Sequence, residues 1–219
     1  MVDLRLYALL DPERAGGHEL AALGRDVVAG GATLVQLRDK HGSTRRLIEE
    51  TRAIKAALAS SRVPVLVNDR VDVALAAGAD GVHVGQDDMP AAEARRLLGP
   101  SAVIGLSIKT IAEAQAAPLE ALDYACVGGV FVTTSKDNVS TPIGIPGLKN
   151  LLAALRARAP DFPIGAIAGI DETNAGEVVS AGADGVAVIS ALSLASDPAG
   201  AARRLRGIID KSLRARGAP

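Results

Sequence analysis

The chain predicts an α/β protein closed into a (β/α)8 barrel, one domain over residues 1–219. Eight short apolar runs alternate with longer amphipathic ones, and a six-residue motif recurs about half a chain later. A length of 219 residues suits one such barrel and is short for two domains. Strands that alternate with helices pair in parallel, because each return crossing needs a connecting element long enough to be a helix.

The apolar runs fall at residues 4–10, 33–37, 64–67, 81–84, 103–106, 124–127, 164–167 and 185–189. Among the stretches between them, 44–59 places Leu47, Ile48, Thr51, Ile54, Lys55 and Leu58 at the spacing of one helical face. Residues 91–98, 147–158, 173–180 and 198–214 read as helices too, with Ser43 before a charged first turn and Pro90 after two aspartates as start signals. The repeat is Ala77-Gly78-Ala79-Asp80-Gly81-Val82, which returns as Ala181-Gly182-Ala183-Asp184-Gly185-Val186. Each copy ends a helix on Gly, turns through Asp-Gly and starts a strand, as expected of two similar half-barrels. An open doubly wound sheet is the competing fold. The segment after the first strand, Asp11 to Gly17, lacks the G-x-G-x-x-G spacing that such a sheet would use for a dinucleotide.

Composition narrows the function. With 24 Lys plus Arg against 25 Asp plus Glu, the net charge is −1, which gives no footprint for nucleic acid. Tyr7, Tyr124, Phe131 and Phe162 are too few and too scattered for a base-stacking surface. No apolar stretch approaches the ~20 residues of a membrane span. The N-terminus does not read as a signal peptide, and the lone Cys126 forms no internal disulfide, so a reducing, cytoplasmic location is expected. Self-association is left open.

Barrels carry their chemistry at the C-terminal ends of strands. The second strand ends Gln36-Leu37-Arg38-Asp39-Lys40, where period-two alternation turns Gln36, Arg38 and Lys40 to one side. An arginine fork and a lysine point charge there suit a phosphate or diphosphate. The third strand ends Asn68-Asp69-Arg70 and the fourth runs His83 to Asp88. Asp69 and Asp88 on adjacent loops suit Mg²⁺, a hard cation that takes few carboxylates and keeps room for water and phosphate; helix capping is the competing role. His83 fits a supporting role, and Cys126 a buried small apolar residue.

The longest irregular connection follows the sixth strand. Thr133, Thr134 and Ser135, followed by Lys136, read as a phosphate-binding lid. After strands seven and eight, Gly169 and Ser190 suit a second anion site, since loops there often bind phosphate in barrels.

In order and spacing these segments resemble the thiamine-phosphate synthase family from Leu34 through Leu192. The carrying motifs are Q-L-R-D-K at 36–40, V-N-D-R-V-D at 67–72, G-A-D-G-V-H-V-G-Q-D-D at 78–88 and I-G-L-S at 104–107. They continue with T-T-S-K-D at 133–137, P-I-G-I-P-G-L at 142–148 and A-G-A-D-G-V-A-V-I-S at 181–190. The resemblance implies a TIM barrel and a transferase that couples 4-amino-2-methyl-5-hydroxymethylpyrimidine diphosphate to 4-methyl-5-(2-hydroxyethyl)thiazole phosphate. Thiamine phosphate and pyrophosphate are the products, and Mg²⁺ is the cofactor. It assigns Gln36, Arg38, Lys40, Asn68 and Lys136 to the pyrimidine diphosphate, Asp69 and Asp88 to Mg²⁺, and Ser107 to a place beside the reacting centre. Ser107, Lys136 and Arg38 are the catalytic set it implies. Thr133, Ser135, Gly169, Ile189 and Ser190 match the thiazole phosphate positions.

The chain departs from the family pattern at four places. Ala168 stands where Gly is common, Lys109 where a small residue or His is usual, Gly129 where Pro is common and Pro146 where an acidic residue is common. Two rival readings share the barrel: a thiazole tautomerase-like paralogue, and a non-catalytic thiamine-phosphate binding protein. A generic phosphate-binding isomerase rests on the fold alone.

Overall fold

In a computed structural model that describes residues 1–133 and 141–217, eight parallel strands close into a barrel in chain order. They are β1 (Leu6–Leu10), β2 (Leu34–Leu37), β3 (Val65–Asn68), β4 (Gly81–Val84), β5 (Val103–Ile108), β6 (Tyr124–Val127), β7 (Ile164–Ile167) and β8 (Gly185–Val188). Closure comes from β8 pairing with β1, where Leu6, Tyr7 and Ala8 face Val186, Ala187 and Val188. The open-sheet alternative is thereby excluded.

The helices ring this sheet: α1 (Leu20–Ala29), α2 (Thr44–Leu58), α3 (Val71–Ala77), α4 (Ala91–Leu98), α5 (Ile111–Ala116), α6 (Gly144–Arg158), α7 (Ala175–Ser180), α8 (Ser190–Ser193) and α9 (Pro198–Ala215). On α2 the face predicted from spacing is the buried one, with Leu47, Thr51, Ile54 and Leu58 inside. Burying each such aliphatic side chain stabilises by about 1.5–3 kcal/mol. Thr51 satisfies its hydroxyl by donating to Leu47 O at 2.7 Å. Ser43 caps α2 by accepting from Arg46 N, as its sequence signal predicts. The last helix, α9, packs on both α1 and α7 and so covers the seam between β8 and β1.

Helix α6 starts at Gly144, three residues before the predicted start, with Pro146 inside its first turn. Proline is tolerated there because a first-turn N–H has no partner within the helix. Strand β5 runs to Ile108, two residues beyond its predicted end, which places Ser107 on the strand itself.

The repeated motif is structural. Asp80 and Asp184 stand just before β4 and β8 and accept the backbone N–H of Val65 and Ile164, each at 2.8 Å. Asp123 does the same for Ile104 ahead of β6 at 2.8 Å, and Thr33 accepts from Leu6 N ahead of β2 at 3.1 Å. Each of the three aspartates is also paired with a helix cation: Asp80 with Lys55, Asp123 with Arg95 and Asp184 with Arg156. The glycine after each repeated aspartate permits close backbone approach. A Cβ on Gly81 would lie 1.8 Å from Val103 O, and one on Gly185 would lie 1.8 Å from Leu4 O.

Two apolar layers result. One lies between sheet and helices; the other fills the barrel with Tyr7, Leu9, Leu34, Leu66, Tyr124, Cys126, Ile167, Ala187 and Ile189. Cys126 is buried, as expected of a small apolar residue.

Candidate active site

The C-terminal end of the barrel gathers the polar strand-end residues. Gln36, only 1% exposed on β2, donates through Nε2 to Asn68 Oδ1 on β3 at 3.0 Å. Its Oε1 accepts from the Tyr7 hydroxyl of β1. Tyr7 and Tyr124 bring their hydroxyls to 2.9 Å, Tyr124 meets His83 Nδ1 at 2.8 Å, and His83 Nε2 meets Ser107 Oγ at 2.9 Å. Gly105 makes room for this line, since a Cβ there would sit 2.1 Å from Tyr124 Cζ. His83 thus bridges Tyr124 and Ser107, in line with the supporting role expected of it.

Just beyond β2, Arg38 forms an ion pair with Asp11, whose side chain is 2% exposed. Asp11 also caps the short 3-10 turn Pro12–Arg14 by accepting from Glu13 N at 3.0 Å. Nothing in the local sequence identifies Asp11 as the partner of Arg38. The two are 27 positions apart in sequence, and only the pairing of β1 with β2 brings them together.

Lys40 forms an ion pair with Asp69. Asp69 takes a left-handed backbone, φ 60°, and its N–H donates to His83 O at 2.8 Å. Burial raises the Asp69 carboxyl above the ordinary carboxylate range; Lys40 pulls it back, and the neighbouring Asp88 raises it again. Asp88 is held in turn by the Gly85 N–H at 2.7 Å. Neither aspartate caps a helix, for the cap positions of α3 and α4 are Arg70 and Pro90, and neither helix has a side-chain cap. The capping alternative therefore falls.

A cavity of about 440 Å³ opens at the ends of β7 and β8, lined by Thr133, Ala168, Gly169, Asp171, Ile189 and Ser190 among others. Four predicted thiazole-phosphate positions meet there. Its floor includes Ile167, Ala187 and Ile189, the same side chains that pack with Tyr7 and Tyr124 inside the barrel. Gly169 lines this cavity and also has a packing role. A Cβ there would meet Val132 O at 2.2 Å and Phe131 Cβ at 2.8 Å, so its small size seats the loop after β6. The base of that loop is closed by Ile143 N donating to Gly129 O and Gly144 N to Val130 O, both at 2.9 Å. Gly129 has φ 74°, which proline could not adopt. Ser135 and Lys136 lie outside the described residues, and so does Thr134.

A larger cavity, about 700 Å³, lies at the opposite end around Pro64, Asp80 and Val103. None of the strand-end polar residues lines it, and in barrels that end serves stability. Among the described residues no group of three or more His, Cys, Asp or Glu is placed to hold a metal ion. No helix among them is long and apolar enough to cross a membrane.

A (β/α)8 barrel with a paired cationic and acidic cluster beside an anion-sized cavity at its catalytic end defines an enzyme that handles phosphorylated small molecules. The family model described as thiamine monophosphate synthase matches residues 6–192. A thiamine-phosphate synthase of Agrobacterium fabrum is 53% identical over 215 residues, covering 98% of each chain. One from Chloroflexus aurantiacus is 47% identical over 209 residues, covering 95% of this chain and 94% of that one. Among solved structures, a thiamine phosphate pyrophosphorylase from Pyrococcus furiosus superposes with a TM-score of 0.83 at 35% identity, over 97% of this chain and 98% of its own. The chain belongs to the thiamine monophosphate synthase family, and its enzyme class is transferase.

Proposed function

We propose that this chain joins the methylene of an aminopyrimidine methyl diphosphate to the ring nitrogen of a thiazole phosphate, giving thiamine phosphate and pyrophosphate. The observation that carries the reading is the shared wall. The cavity lined by Thr133, Gly169, Ile189 and Ser190 rests on side chains that also pack against Tyr7 and Tyr124, next to Gln36. Two heterocycles held on the two sides would meet edge to edge.

Gln36, Asn68 and Ser107 read the pyrimidine, and Arg38 with Lys40 holds its diphosphate. By family resemblance Lys136 joins them, and Ser135 goes with the thiazole phosphate. As the C–O bond to the diphosphate breaks, negative charge gathers on the leaving group, and Arg38 and Lys40 stabilise it where it develops. The aminopyrimidine ring delocalises the positive charge left on its methylene. The thiazole nitrogen then supplies the electron pair of the new C–N bond. No protein nucleophile is consumed, and positioning of the two rings provides much of the remaining rate.

Two carboxylates in direct contact, one of them raised by burial and by the other, fit a divalent cation and few other partners. Asp69 and Asp88 would hold Mg²⁺, with Lys40 turning from Asp69 to the diphosphate. Bound there, Mg²⁺ neutralises diphosphate charge that the side chains alone leave in excess. The buried lone cysteine and the lack of a membrane-spanning helix among the described residues are in keeping with a cytoplasmic setting.

The test is pyrophosphate release with both substrates and Mg²⁺, against controls lacking the thiazole partner. Stoichiometric release that depends on both substrates is expected. Isomerisation of a thiazole carboxylate phosphate without pyrophosphate would favour the tautomerase reading. Calorimetric binding of thiamine phosphate with no coupling would favour the binding protein.

A further inference from the structure

Six side chains from six consecutive strands form one hydrogen-bonded line across the barrel. In order they are Ser107, His83, Tyr124, Tyr7, Gln36 and Asn68. Counting protons along it fixes its sense. Both tyrosine hydroxyls are fully buried, and burial pushes them well above the ordinary phenol range, so each keeps one proton. Tyr7 donates that proton to Gln36 Oε1, and Tyr124 must therefore donate to Tyr7. With its proton committed, Tyr124 can only accept from His83, so Nδ1 carries the imidazole proton. In the neutral ring Nε2 is then an acceptor, and Ser107 donates to it.

The line thus presents opposite chemistry at its two ends. Ser107 Oγ offers lone pairs to a ligand, whereas the amide N–H groups of Gln36 and Asn68 offer protons. An aminopyrimidine edge matches that pattern, with its exocyclic N–H toward Ser107 and a ring nitrogen toward the amides. The corresponding oxopyrimidine places a carbonyl oxygen against the serine lone pairs. We propose that Tyr7 and Tyr124 are specificity-determining positioning residues, which select the amino over the oxo pyrimidine by fixing the proton sense of this line. The specificity claim rests on the coupling reading above; the proton sense does not.

Two measurements test it. In the unliganded, isotope-labelled protein at pH 8, two-bond ¹H–¹⁵N correlation reads the His83 tautomer, assigned by the signal lost in His83→Gln. A proton on Nδ1 is expected; a proton on Nε2 means the line runs the other way and overturns the proposal. In Tyr7→Phe and Tyr124→Phe, which keep the ring packing, the ratio of kcat/KM for amino over oxo pyrimidine diphosphate should fall at least tenfold. KM for thiazole phosphate should hold, and in Tyr7→Phe the His83 tautomers should mix. A lowered Tm with an unchanged ratio makes both tyrosines merely structural and overturns the proposal. Wild-type protein that releases no pyrophosphate sinks the coupling reading and the specificity claim together, and the tautomer measurement still decides the proton sense.

Discussion

Arg38 closes onto Asp11, so the cation proposed for the diphosphate is held in place by a carboxylate from the neighbouring strand end. Positioning of this kind removes the entropy cost of collecting a free arginine during binding. Asp11→Ala should raise KM for the pyrimidine diphosphate and cost about 1–3 kcal/mol of stability, because both the ion pair and the cap on Glu13 N are lost. Asp11→Asn keeps the capping oxygen, so it should recover much of the stability and little of the KM. Thermal denaturation and steady-state kinetics on the two variants separate the roles.

Asp69 should trade stability for function. Its carboxyl is raised above the ordinary 3.8 by burial, with Lys40 opposing and Asp88 adding to the rise. The metal-free fold therefore binds the Asp69 proton more tightly than the unfolded chain does, and its ionised form is a net cost above the folded-state value. Asp69→Asn removes that cost and tolerates φ 60° at least as well. Its Tm should exceed wild type at neutral pH, by roughly 2–4 °C for each kcal/mol relieved. The advantage should shrink as pH falls through the folded-state value toward 3.8. Turnover at limiting Mg²⁺ should collapse in the same variant. A Tm below wild type at neutral pH would contradict the net direction of the shift.

Much of this site was written in local sequence. Strand runs and their alternation put Gln36 and Asn68 at strand ends, which converge in a closed barrel, whereas Ser107 came only with the family resemblance. Helix starts were less legible, because Pro146 reads as a terminator from sequence and sits comfortably in a first turn. The Arg38–Asp11 pair and the Tyr7–Tyr124 contact were invisible, since the first depends on the register of β1 against β2 and the second on closure of the barrel. Tyr7 and Tyr124 registered only as scarce aromatics. A signal was available nonetheless: a tyrosine mid-strand in an otherwise aliphatic barrel needs a polar partner for its hydroxyl.

Ala168 and Gly169 should respond in opposite ways to a single methyl. Ala168 has φ 97°, a backbone region that costs a residue with a Cβ about 1–3 kcal/mol. The departure from the family's usual glycine thus shows itself as strain in this chain's own backbone. Ala168→Gly should stabilise by about 0.5–1 kcal/mol once the freer unfolded chain is counted. Gly169→Ala adds a Cβ 2.2 Å from Val132 O at φ 63°, and should destabilise the loop after β6 and weaken thiazole phosphate binding. Denaturant midpoints and a thiazole phosphate titration on both variants check the pair of signs.

The aspartates ahead of the even strands should matter for folding and leave the chemistry alone. Asp184 Oδ2 accepts from Ile164 N at 2.8 Å and pairs with Arg156 at 2.6 Å, while Oδ1 reaches Arg216 at 3.2 Å. Removing it leaves a strand N–H and two guanidinium groups short of an acceptor at the end of the barrel away from the site. Asp184→Ala should cost about 1–3 kcal/mol, and Asp184→Asn less, because the amide oxygen can still take the Ile164 N–H. Asp80→Ala, the matching change in the other half-barrel, should cost a similar amount through Val65 N and Lys55. For all three variants, KM for both substrates and kcat measured well below Tm should stay within about twofold of wild type, in keeping with the stabilising role of that face. A variant that lost affinity for either substrate at full stability would mean that the two ends of the barrel are coupled, and that the repeated motif belongs to the site as well as to the fold.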